Sequence, residues 1–249
     1  MDLYGIPRRP DMIDNGRVRP AVPTPPSLAR LAARVVLALA VLDAALFGIA
    51  GRADWLAAWL LSALCLVTFT LVGAWMLRRD PDLLNERSRR GPNVAPWDRA
   101  IMAAYRVLLA ALFVTAALDA GRFQWSHVPA GVQALGFVLI VATGAVIMWC
   151  VAVNHFLSSD ARIQNDRGHT VVRDGPYRYV RHPMYAALIA GMIGLALFLG
   201  SWFALLPAAL IAVLFVLRTS LEDRMLADGL PGYREYSARV PKRLIPGVW

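Results

Sequence analysis

Between two long apolar stretches lies a polar, basic and aromatic segment, Gly-Pro-Tyr-Arg-Tyr-Val-Arg-His-Pro-Met-Tyr at positions 175–185. Gly175-Pro176 signals a turn. Pro183 suits the first turn of a helix, where its missing N–H costs nothing. His182 precedes that proline and is pushed towards an extended conformation. This predicts His182 at the mouth of a helix starting at Pro183, with the N–H groups of Met184, Tyr185 and Ala186 pointing back into the loop. A helix N-terminus with Arg181 beside it suits a carboxylate or phosphate. Arg178, Arg181 and the tyrosines equally suit anchoring at lipid headgroups. A second cluster, Glu222-Asp223, stands where the last apolar stretch ends. Either it pairs locally, Arg218 with Glu222 four residues on, or it binds a cationic group beside His182.

The elements that position these groups are apolar helices. Of 249 residues, 58% are hydrophobic, and the mean hydropathy is +0.50. That excludes an ordinary soluble domain of this size. The net charge is +9, with all but one of the 26 basic residues Arg. With this hydropathy, the charge points to basic loops of a membrane protein rather than to nucleic acid. Cys65 and Cys150 lie in different apolar stretches, without metal or redox spacing. Residues 1–27, rich in Pro and Arg, read as a flexible tail with no signal peptide.

Six spans are predicted, over 28–50, 55–77, 99–120, 130–157, 183–199 and 202–221, with a short interfacial helix at 81–90 and a surface helix at 233–240. The tail, the loops 78–98 and 158–182 and the C-terminal segment hold nearly all the Arg, while the opposite turns hold only Arg52 and Arg122. This asymmetry places both termini in the cytoplasm. The fold class is an all-α membrane protein, six transmembrane helices as three hairpins, with a cytoplasmic pocket formed by the C-terminal half. Its regions are the tail 1–27, helices one to four at 28–155, and a catalytic region at 156–249. Gly136 and Gly144 in the fourth span, with Gly191 and Gly194 in the fifth, permit close helix approach. Asp43 and Arg106 lie within spans and read as a structural pairing and a side chain snorkelling to the membrane edge. Asn154 and His155 border the polar loop, either lining the site or bonded at an interface.

The 175–185 segment, then Glu222-Asp223, Leu226, Gly232-Tyr233, Tyr236 and the closing Leu244-Ile-Pro246, together resemble the isoprenylcysteine carboxyl methyltransferase family. The resemblance spans roughly 156–249. It implies a multi-pass cell-membrane enzyme that takes a methyl group from S-adenosylmethionine. Carried over residue by residue, it implies that Tyr177, Arg181, His182, Pro183, Tyr185, Glu222, Tyr233 and Tyr236 bind this cofactor. The second acid, often Glu in the family, is here Asp223, whose reach is shorter. His182 is implied as proton acceptor for an amine or thiol acceptor; Arg181 or Arg239 would orient an anionic one. The acceptor is a lipophilic or small molecule reached from the bilayer: an isoprenylcysteine-type carboxylate is the most family-like, and a thiol or lipid amine remains open. Competing readings are a membrane NADPH-dependent reductase of the sterol type and a non-catalytic membrane protein.

Overall fold

A computed structural model describes residues 28–88, 94–247 and 249. The tail 1–27 and part of the first basic loop lie outside these residues. The chain forms α1 (Leu28–Ala50), α2 (Leu56–Arg79), α3 (Pro81–Ser88), α4 (Pro96–Ala116), α5 (Ala130–Val153), α6 (Pro183–Phe198), α7 (Leu205–Gly229) and α8 (Tyr233–Arg239). Among the described residues there are no strands. Five helices are long and apolar enough to cross a membrane, namely α1, α2, α5, α7, and α4 with its extension to Phe123. The fifth predicted span, α6, is apolar but has only 16 residues. Their apolar side chains point outwards as well as inwards: Leu37, Leu71, Val107 and Leu206 are all more than 60% exposed. That is the surface of a chain solvated by lipid rather than water.

Several predicted boundaries shift, each for a local reason. The 130–157 segment stops being helical at Val153, because Asn154 turns back and accepts the Phe156 N–H on Oδ1. The last span begins at Leu205, not Trp202: Gly200 turns the chain at φ +82° and the Ser201 hydroxyl accepts the Ala204 N–H. It then continues past 221 to Gly229. Hydropathy falls at Arg218, but no helix breaker appears before that glycine, so the helix carries Glu222 and Asp223 out of the apolar zone. The last two short helices, α3 and α8, fall where the sequence puts them.

Helix pairing differs from three simple hairpins. α1 packs on α2 and α6 on α7, as the short turns require, but α4 packs chiefly on α7 and α5 on α6. A π-helical extension, Ala117–Phe123, widens the turn between α4 and α5 and packs on α1. The α5–α6 pairing is the most extensive in the molecule and is set by glycine. A Cβ on Gly136 would stand 2.6 Å from the Phe198 amide nitrogen, and one on Gly194 would stand 2.9 Å from the Gly136 carbonyl oxygen. Gly144 faces open space and has no part in the contact. The main core joins Leu46, Leu112, Leu199, Ile211 and Phe215, so it crosses the expected boundary at 155/156. Asp43 accepts a hydrogen bond from Ser62, a structural pairing within the α1–α2 hairpin.

Candidate active site

Asp223 is the hub of the polar end of the bundle. Arg181 donates to it twice, from Nε to Oδ1 at 2.8 Å and from Nη2 to Oδ2 at 2.9 Å. Tyr233 Oη donates to Oδ1 at 2.7 Å, Arg243 Nε donates to Oδ2 at 3.0 Å, and His182 Nε2 stands 3.4 Å from Oδ1. One carboxylate thereby fastens α7 to the Arg-His-Pro loop, to α8 and to the C-terminal segment. Backbone bonds repeat the clasp: the Arg181 and His182 amides donate to the Lys242 and Arg243 carbonyls. A paired, multiply bonded buried charge of this kind is tolerated only while every partner is present.

Glu222, the neighbouring acid, points elsewhere. Its Oε2 accepts a hydrogen bond from Tyr185 Oη at 2.5 Å. Arg218 does not pair with Glu222. It forms a bidentate contact with Asp98 of α4, at 2.8 and 3.3 Å, and lies 5.1 Å from the Tyr185 ring centre. Asp98 and Arg218 are both buried, so this pair ties α4 to α7 beneath the tyrosine.

Beside this scaffold opens a cleft of about 770 Å³, part of it open to solvent. All eight residues expected to bind a cofactor line it: Tyr177, Arg181, His182, Pro183, Tyr185, Glu222, Tyr233 and Tyr236. The polar-loop segment 156–172 supplies the facing wall, including Phe156 and His169, whose rings lie 4.7 Å apart. Sequence reading missed these two. Nothing in their local pattern marks them, since they reach the cleft only because the loop folds back over the end of α7. Asn154 lines the cleft and donates from Nδ2 to Tyr177 Oη at 2.9 Å, whereas His155 turns away to Asp80. Arg239 is exposed on α8, outside the cleft.

Two details revise the anion site drawn from the sequence. The amides of Tyr185 and Ala186 both donate to the His182 carbonyl, so of the three expected N–H groups only that of Met184 does not bond there. Arg181 is also engaged on three sides, since Nη1 donates to the Val240 carbonyl at 2.7 Å. Burial disfavours its cation, but the Asp223 carboxylate outweighs burial and raises its pKa. Arg181 therefore shapes the cleft more than it offers free donors.

Burial pushes the phenols of Tyr177, Tyr233 and Tyr236 upwards, the Asp223 carboxylate adding to the effect at Tyr233, so all three remain hydrogen-bond donors. His169 moves the other way. Burial, then the cations of Arg162 and Arg167, push it down to about 4. It is a neutral imidazole at pH 7, and its Nδ1 accepts the Gln164 amide N–H.

The cleft thus offers two carboxylates with no cation among their hydrogen bonds to the described residues, Glu222 and Asp160, a helix mouth with a histidine, and a ring of phenols. A zwitterionic, sulfonium-bearing nucleoside fits this donor set: a carboxylate for its ammonium, His182 and the Met184 N–H for its carboxylate, and aromatic faces for its base. Among the described residues no cluster of three or more His, Cys, Asp or Glu is placed to hold a metal ion.

Residues 134–228 match the model of the isoprenylcysteine carboxyl methyltransferase family. The resemblance drawn from the sequence is therefore borne out over α5 to α7. Among curated relatives, the cobalt-zinc-cadmium resistance protein CzcN of Cupriavidus metallidurans is 31% identical over 137 residues, covering 52% of this chain and 57% of the relative. The nickel-cobalt-cadmium resistance protein NccN of Alcaligenes xylosoxydans is 25% identical over 143 residues, covering 55% and 61%. The protein-S-isoprenylcysteine O-methyltransferase of Schizosaccharomyces pombe is 27% identical over 114 residues, covering 44% and 47%. The chain thus spans about half to three-fifths of the length of these relatives.

Proposed function

We propose, for a chain whose residues 134–228 carry the isoprenylcysteine carboxyl methyltransferase family region, that it is an integral membrane methyltransferase acting on a lipophilic acceptor. S-adenosylmethionine is its methyl donor, supplying an activated methyl group on a cationic sulfur. The single observation that carries this reading is that His182 and Glu222, from two separate parts of the chain, line one cleft at the same end of the bundle.

Each residue has a part that follows from its geometry. Glu222, held by Tyr185, receives the donor's ammonium group. His182 and the N-terminus of α6 receive its carboxylate. Tyr233 and Tyr236 pack against the nucleoside, and the Asp223 clasp fixes the loop that carries His182. In-line methyl transfer needs little from the protein besides alignment and exclusion of water, so a rigid cleft supplies much of the rate. For a neutral acceptor that must lose a proton, His182 is the candidate base, within hydrogen-bond reach of Asp223. The short helix α6 crosses the bilayer as a sixth span, and the cleft faces the cytoplasm with both termini. The Arg-rich loops at that end support this orientation.

The test is calorimetric binding of S-adenosylmethionine to the purified full chain. Glu222→Gln removes a charge-assisted hydrogen bond, a change of about 1.5–3 kcal/mol, and weakens binding at least tenfold. His182→Ala weakens it as well. Wild-type affinity in both variants refutes the site.

A further inference from the structure

A second cleft, of about 560 Å³ and partly open to solvent, is lined by Val94, Arg99, Met102, Arg106 and Asp160. Arg99, Met102 and Arg106 fall on one face of α4, three and then four residues apart. Helical side chains lean towards the helix N-terminus, so Arg106 reaches back towards Arg99 and the basic end of the bundle. Both arginines are exposed, and no ion pair among the described residues takes up either one. Asp98, the acid nearest to them in sequence, is already spent on Arg218 and on the Ala161 amide.

Asp160 completes the cleft and has the complementary need. Its Oδ2 is buried and accepts no hydrogen bond from the described residues. An unsatisfied buried carboxylate oxygen is costly, and its neighbours cannot swing to relieve it. The loop around it is pinned: Ser158 Oγ and the Arg162 guanidinium donate to Glu86, Arg218 donates to the Ser159 carbonyl, Ala161 N–H donates to Asp98, and Ala95 N–H donates to the Ala161 carbonyl. Two exposed cations and one acceptor on a pinned loop therefore line a shared space without pairing with one another.

We propose that this cleft binds the headgroup of a zwitterionic aminophospholipid, with its phosphate on Arg99 and Arg106 and its primary ammonium on Asp160. Arginine forks suit phosphate oxygens, and an ammonium suits the Asp160 carboxylate, which lines the cleft with no cation among its partners in the described residues. The acyl chains then lie along the exposed apolar face of α4, where Val107 is 69% exposed. Asp160 also lines the first cleft, so the bound amine sits at the boundary between the two. The proposal goes beyond the methyltransferase reading and does not depend on it.

The test is native mass spectrometry of delipidated full chain incubated with an equimolar mixture of phosphatidylethanolamine, phosphatidylcholine and phosphatidylglycerol of matched acyl chains. No methyl donor is present, so the outcome is separate from that of the cofactor assay. Wild-type protein is expected to retain phosphatidylethanolamine several-fold over the other two, since one has no N–H on its ammonium and the other has no amine. Asp160→Asn removes that preference, and the double variant Arg99→Gln/Arg106→Gln lowers retention of all three lipids. Equal retention of the three lipids by the wild type overturns the proposal without recourse to any variant. Soluble glycerophosphoethanolamine at the same concentration is expected not to displace the lipid; displacement would overturn the assignment to a lipid.

Discussion

The two ends of the helix bundle are each held by a buried aspartate, and the two are built from different chemistry. At the cleft end Asp223 is surrounded by two arginines, a histidine and a tyrosine. At the other end Asp119, in the π-helical extension after α4, accepts from the Ser126 amide and hydroxyl and from the Ser201 hydroxyl at 2.5–2.9 Å. No cation takes part in those three bonds. The serine-bonded acid staples the turn after α4 to the turn between α6 and α7 and is itself buried there. The arginine-bonded acid staples four segments and leaves its neighbour, Glu222, facing an open cleft. Charge is thus concentrated at the end that carries the cleft, and neutral donors suffice where two turns alone are joined.

Removing the charge from each hub separates the two roles. Asp223→Asn leaves Arg181 and Arg243 buried or half-buried without their partner. Breaking a buried pair costs about 3–5 kcal/mol, so this variant is expected to melt far below wild type in detergent and to lose cofactor binding. Asp119→Asn keeps most of its hydrogen bonds. It is expected to cost about 1–3 kcal/mol and to leave cofactor affinity unchanged. Equal effects of the two on binding would erase the distinction.

A smaller and purely steric effect is expected between the hubs. Gly194→Ala drives a methyl group towards the Gly136 carbonyl oxygen and the Leu139 side chain, at 2.9 Å each. Forcing the α5–α6 pair apart costs about 1–3 kcal/mol, read as a lowered melting temperature. Gly144→Ala, in open space on the same helix as Gly136, is expected to change nothing measurable.

A further effect is a pH dependence at the cleft end. The folded state holds the His169 pKa at about 4, against 6.5 for the free residue. The unfolded chain therefore binds a proton that the folded chain refuses. Stability from this group is complete above pH 6.5 and is lost as pH falls from there towards 4. Melting temperature measured across that window is expected to fall less in His169→Gln than in wild type.

Much of this was legible in the chain before any coordinates. Apolar length and Arg asymmetry revealed the spanning helices because lipid leaves a chain few ways to satisfy its backbone. Pro183 and His182 marked the start of α6, and the family resemblance singled out eight residues that line the first cleft. Other assignments failed where a signal was shared by two structures. Falling hydropathy after 221 marked the edge of the apolar zone but not the end of the helix. Arg218 and Glu222, four residues apart, satisfied a local rule that Asp98 and Tyr185 overrode from α4 and α6. Two adjacent acids looked alike as letters, yet a single step of 100° around α7 turned one into a structural hub and left the other to line the cleft.

The sequence alone determined an all-helical, lipid-solvated chain with a charged end and a recognisable loop, because hydropathy, proline placement and charge asymmetry act locally along the chain. Which helix pairs with which, that Asp223 rather than Glu222 carries the clasp, and that Phe156, Asp160 and His169 reach the clefts were decided by tertiary structure. Those outcomes depend on contacts between residues far apart in the chain, where packing and the need to pair buried charge choose among partners that local pattern leaves equivalent.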